Sequence, residues 1–117
     1  MEDIFGIIQG GIWKPASITE EPETILTKWQ VYKVENPNGS GWDIHFHGWT
    51  GWEGRVCSAV QEFDKETMRG RTRSGRIYEL KGSPGLNGDA EYTWHRWLNI
   101  YGNPKTENIT EEYYDLS

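Results

Sequence analysis

Trp42-Asp43-Ile44-His45-Phe46-His47-Gly48-Trp49 alternates apolar and polar side chains along most of its length. Successive side chains of an extended strand point to opposite faces. Trp42, Ile44 and Phe46 therefore share one face, and Asp43, His45 and His47 share the other. The stretch reads as a β-strand whose register is fixed by that alternation.

Working outward, Trp29 to Val34 gives a preceding strand, and Asn36-Pro37-Asn38-Gly39-Ser40-Gly41 joins the two with strong turn chemistry. On the other side, Thr50-Gly51 turns into Trp52 to Phe63, a long strand in which Gly54 allows a bulge. Asp64-Lys65 begins the next turn. Met68 to Arg73 and Arg76 to Leu80 then flank Ser74-Gly75, a two-residue connection suited to a tight hairpin. Gly82-Ser83-Pro84-Gly85 and Asn87-Gly88 end the sheet, and Asp89 is placed to cap a helix running to about Tyr101. Ala90, Trp94, Trp97, Leu98 and Tyr101 give that helix an apolar face, expected to meet Ile77 or Tyr78 through Trp94 and Trp97. Gly102-Asn103-Pro104 stops it.

The expected fold is α+β: an antiparallel β-meander of about five strands, forming a small curled sheet or partly open barrel, with one C-terminal helix packed on it. Residues 1–26 read as an irregular N-terminal arm, 27–81 as the sheet, 89–101 as the helix and 103–117 as an acidic tail. A length of 117 residues suits one domain and is too short for two. Seven Trp, six Tyr and three Phe make an aromatic-heavy core the expectation, because aliphatic residues are few.

A formal charge of −6 favours solubility and disfavours indiscriminate binding to nucleic acid or anionic membrane. The expected partners are proteins. The one cysteine, Cys57, cannot form an internal disulfide and fits a reducing compartment. An acidic start and the lack of any long apolar run point to a cytoplasmic protein, without a membrane span.

Three groups of side chains carry the candidate chemistry. Asp43, His45 and His47 could bring two imidazoles and a carboxylate to a divalent cation, although a polar strand face accounts for them without a metal. With Glu53 the spacing resembles the first metal motif of cupins, but the only later histidine, His95, falls in the expected helix. No metal and no cofactor is expected. Arg69, Arg71, Arg73 and Arg76 crowd the hairpin tip, with Arg73 expected opposite Arg76 and Arg71 opposite Tyr78. They offer an anion site unless Glu62, Asp64, Glu66 and Glu79 neutralise them. Trp49 and Trp52 sit among Gly48, Thr50, Gly51 and Gly54, as an exposed contact tip would. Cys57, Ser58 and Ser74 lack the partners of a nucleophile, so no catalytic residue is assigned.

Gly54-Arg55-Val56-x-Ser58, Glu62-Phe63-Asp64, Thr72-x-Ser74-Gly75-Arg76-x-Tyr78-x-Leu80-x-Gly82-x-Pro84-Gly85 and Asp89-Ala90-Glu91-Tyr92-x-Trp94-x-x-Trp97 together resemble small uncharacterised phage and prophage proteins. The resemblance covers roughly residues 54–97 and transfers no catalytic residue. It implies a genomic setting in which small accessory proteins bind a host component, anti-CRISPR and other anti-defence inhibitors among them. The expectation is a non-enzymatic inhibitor of a host defence nuclease complex, a protein or ribonucleoprotein, acting in the cytoplasm of a bacterial host. Trp49, Trp52 and Tyr113 would anchor the contact, and Glu107, Glu111, Glu112 and Asp115 of the tail, with Glu20, Glu21 and Glu23 of the arm, would steer it. The competing classes are a small metal- or anion-binding protein, including a hydrolase, and a structural virion component assembling through the arm.

Overall fold

The structure, a computed structural model, describes residues 22–114. Among the described residues seven strands precede and follow one helix: β1 (Glu23–Glu35), β2 (Trp42–Trp49), β3 (Gly54–Val56), β4 (Val60–Asp64), β5 (Arg69–Thr72), β6 (Ile77–Leu80), α1 (Gly88–Ile100) and β7 (Thr106–Asn108). A 3-10 turn follows at Thr110–Glu112. The strands lie in the order β3-β2-β1-β6-β5-β4, with β7 also beside β1; β2 and β4, far apart in that order, come into contact, so the sheet curls without closing.

The α+β class and a C-terminal helix packed on the sheet match the sequence reading; the five-strand, wholly antiparallel meander does not. The main correction is β1. Its first half, Glu23 to Leu26, pairs in parallel with β6, whereas Gln30 to Glu35 pairs antiparallel with β2 and Tyr32 to Val34 with β7. One strand thus belongs to both halves of the sheet. Thr24 and Leu26 point inward, then Trp29 and Val31, so the inward parity changes between Leu26 and Trp29. Lys28, at φ 50°, sits in the left-handed region there and the register with β2 shifts between Thr27 and Gln30. The extra residue of such a bulge bends the strand while keeping both halves facing the core. Residues 23–26 are accordingly strand and not arm; residues 1–21 lie outside the described residues.

The expected strand 52–63 is two strands. Cys57 N–H still reaches the Phe46 carbonyl of β2 at 2.9 Å, but from Val60 the chain pairs with Thr72 of β5. The corner at 57–59 is fixed from outside: Arg73 N–H donates to the Ala59 carbonyl at 2.8 Å and Ser74 N–H to the Ser58 hydroxyl at 3.2 Å.

The curled sheet encloses Leu26, Trp29, Val31, Phe46, Cys57, Tyr78, Leu80 and Ile109. α1 covers the opposite face of β1 and β2, where Trp94 and Trp97 join Val34 and Val56 with Tyr32 packed against them. The helix therefore meets β2 and β3 rather than Ile77 or Tyr78. Its N-cap is Asn87, whose side chain accepts from Ala90 N–H at 2.9 Å, two residues before the expected Asp89. Gly54 is not a bulge. A Cβ there would lie 2.5 Å from the Asp89 carbonyl and 2.8 Å from the Ala90 Cα, so glycine lets the helix sit on β3.

The segment after Gly102 docks. Ile109 N–H donates to the Val31 carbonyl at 2.9 Å, and the Thr110 hydroxyl accepts from Val31 N–H at 3.0 Å, extending the pairing of β1 beyond β7.

Candidate functional site

The β2–β3 connection, residues 50–53, is a small loop built on one hydroxyl. Thr50 Oγ1 accepts from Trp52 N–H at 3.2 Å and Glu53 N–H at 3.0 Å and donates to the Glu53 carbonyl, which also receives Thr50 N–H at 2.9 Å. Gly51, at φ 92°, supplies the left-handed step. Trp52 stands at the apex with 80 % of its surface exposed. Trp49, expected to join it, is half-buried, and its carbonyl accepts from the Thr27 hydroxyl at 3.3 Å.

Below the loop, Glu53 turns inward. Its Oε2 accepts from Arg55 Nε at 3.1 Å and Nη2 at 2.8 Å, and Arg55, 6 % exposed, also reaches the Tyr78 hydroxyl at 3.5 Å. Burial works against the guanidinium charge, yet Tyr78 and Glu53 more than offset it and hold the pKa above its ordinary value. A charged pair at the sheet interior thus pins one end of the loop that presents Trp52. Sequence reasoning missed it, since Glu53-x-Arg55 is indistinguishable from two surface charges until β3 is known to face Tyr78.

Asp43, His45 and His47 do share the face predicted, but that face is under α1 and the three groups go different ways. Asp43 pairs with Arg73 at 3.2 Å. His45 Nδ1 donates to the Cys57 carbonyl at 2.9 Å with its ring 4.7 Å from Trp97. His47, fully buried, donates from Nε2 to Glu91 at 2.9 Å and stacks on Trp94 at 4.6 Å. Among the described residues no three His, Cys, Asp or Glu side chains converge on a point that would hold a metal ion. Glu91 was not singled out from sequence; its three-residue spacing from Trp94 is the signal that sets it toward the sheet side of the helix.

The arginines of the hairpin are also divided. Gly75 N–H closes a turn to the Thr72 carbonyl at 2.8 Å with Gly75 at φ 95°, so three residues connect the strands and not two. Arg71 consequently pairs with Ile77 instead of Tyr78, and Thr72 N–H, not Arg73, meets Arg76 across the ladder at 3.0 Å. One residue of register exchanges the faces. Arg76 goes inside, 1 % exposed, while Arg69 pairs with Glu23 and Glu79, Arg71 with Glu62 and Arg73 with Asp43. Neutralisation therefore comes from Glu62 and Glu79 as expected, with Glu23 and Asp43 as further partners.

Of the tail residues, Glu111 and Glu112 are exposed and Glu107 is exposed beside Lys33 at 3.5 Å. Tyr113 is half-buried and packs edge-on to Phe46 and Phe63 against the core. Asp115, Glu20 and Glu21 lie outside the described residues. No helix among the described residues is long and apolar enough to cross a membrane.

No protein-family model, curated protein or solved structure matches this chain.

Proposed function

We propose that this chain is a phage-type accessory protein that binds a host protein or ribonucleoprotein defence complex and blocks it by contact, with the 50–53 loop as its leading anchor. The observation that carries the reading is Trp52: a large apolar ring, 80 % exposed, on a loop locked by the Thr50 hydroxyl. Tryptophan is favoured among residues that dominate interface energies. An anchor already fixed in place avoids much of the ordering cost of binding. The formal charge of −6, with Glu111 and Glu112 exposed, suits a basic surface built for nucleic acid. Target and biological setting rest on the resemblance of residues 54–97 to phage proteins.

The test is interference and binding measured together. Bacteria carrying an active CRISPR or other nuclease defence are challenged with phage in the presence of the chain or of Trp52→Ala, and partners are captured from the same cells. Protection of the phage, lost with Trp52→Ala together with a specific partner while the melting temperature holds, is the expected result. A substitution that alters neither capture nor protection removes the loop from the contact.

A further inference from the structure

The face of β2 under α1 carries two imidazoles where apolar side chains would have served the packing. His47 has no exposed surface: its ring lies nearly parallel to Trp94, 10° between planes, with Tyr32 of β1 5.5 Å away. Glu91 of α1, as an ionised carboxylate, can only accept, so the proton of the neutral ring sits on Nε2. His47 Nδ1 is then a bare acceptor, buried and without a hydrogen-bond partner. His45, 8 % exposed, is fixed in the other tautomer because its Nδ1 donates to the Cys57 carbonyl, and its ring lies against Trp97.

Both rings suit the neutral form. A second proton on His47 would place an N–H with no acceptor between Trp94 and Tyr32, a buried unsatisfied donor. The charges around them are few. Glu91 favours a proton on His47 and His95, on the exposed side of α1, disfavours it. Asp43 of β2 and Arg73 of the β5–β6 turn act on His45 in opposite senses and are paired with each other. From β3 the groups facing this side are Gly54 and Val56, while Arg55 points to the opposite face with Tyr78. Burial outweighs the favourable contacts, and both imidazoles are held below their ordinary range.

We propose that His45 and His47 form an acid-operated latch: as neutral rings they hold α1 on the sheet, and protonation releases the helix while β4, β5 and β6 stay folded. The architecture allows the separation, because α1 packs on β2 and β3, whereas β4, β5 and β6 are held by pairing with one another and with the first half of β1. Release brings both rings to water, where they regain an imidazole's usual basicity, and uncovers Trp94, Trp97, Val34 and Val56. The released state therefore binds up to two more protons. Docking is at full strength above the ordinary imidazole range and weakens as pH falls below it. The latch does not depend on the identity of any partner.

Amide hydrogen exchange, corrected for intrinsic rates, between about pH 7.5 and pH 5 tests this. The opening constant of α1 should rise by about tenfold per pH unit for each histidine that takes up a proton, beginning near pH 6.5, with β5 and β6 amides unaffected. The chain has three histidines, so the origin can be assigned completely. His45→Gln with His47→Gln keeps side-chain donors for the Cys57 carbonyl and Glu91 but cannot titrate, and should abolish the acid response. His95→Gln should retain it. Acid-independent exchange of α1, simultaneous loss of protection in helix and β5–β6, or an acid response surviving in the double variant overturns the latch. If that variant does not fold, NMR titration of the wild-type rings decides: His45 and His47 titrating in the ordinary range with α1 still protected has the same consequence.

Discussion

Glu53 is the residue on which the loop and the interior meet. Its carboxylate is 13 % exposed and takes two guanidinium donors, so it satisfies Arg55 inside the protein while its own backbone closes the loop that raises Trp52. Removing one partner of a buried pair leaves the other charge in a medium that solvates it poorly, at a cost of about 3–5 kcal/mol. Glu53→Ala should lower stability by about 3 kcal/mol in denaturant titration, the Tyr78 hydroxyl retaining part of the guanidinium's satisfaction. An exposed carboxylate, Glu66, should change stability by less than about 0.5 kcal/mol when replaced by Ala. Equal losses in the two variants would show that Glu53 does no more than a surface charge.

Among the elements, β3 and α1 meet closely at Gly54. A Cβ would meet the Thr93 hydroxyl and also the carbonyl of Asp89 and the Cα of Ala90, which are backbone atoms. Gly54→Ala should destabilise by about 1–3 kcal/mol and do so by loosening α1 from β3, read as raised amide exchange in the helix. Unchanged exchange would mean that the backbone yields at that point. Sequence reasoning found β2, the β5–β6 hairpin and α1 because each is specified locally: by alternation in Trp42 to Trp49, by Ser74-Gly75 between two β-rich runs, by the spacing of Ala90, Trp94 and Trp97. It missed what depends on partners distant in sequence. Thr24 and Leu26 belong to the same inward set as Trp29 and Val31, but Lys28 breaks the phase, and parallel pairing with β6 leaves no mark in the residues of β1. Between Cys57 and Val60 the chain likewise passes from β2 to β5 without any change in composition. The candidate surface was half legible: glycines around Trp52 signalled an exposed tip, whereas the aromatic pattern of Tyr113 is the same for a core contact as for an anchor.

For the molecule as a whole, charge and apolar contact have separable effects. The outer arginines of the hairpin are balanced by carboxylates on neighbouring strands, so the unbalanced negative charge lies elsewhere, with Glu111 and Glu112 among its exposed contributors. Exposed charges of this kind act over about a Debye length, ~8–10 Å at moderate salt, and bear on the rate of encounter more than on the lifetime of a complex. Glu111→Lys with Glu112→Lys should therefore slow association with the partner proposed for Trp52 and flatten its dependence on ionic strength, leaving dissociation nearly unchanged. Both residues are exposed in the 3-10 turn, so the fold should tolerate the reversal. Trp52→Ala should do the opposite, accelerating dissociation by a factor corresponding to about 2 kcal/mol or more with little effect on the on-rate. Surface plasmon resonance at two salt concentrations resolves the two rates. An on-rate indifferent to both salt and charge reversal would remove electrostatic steering from the mechanism and leave the ring of Trp52 as the determinant of recognition.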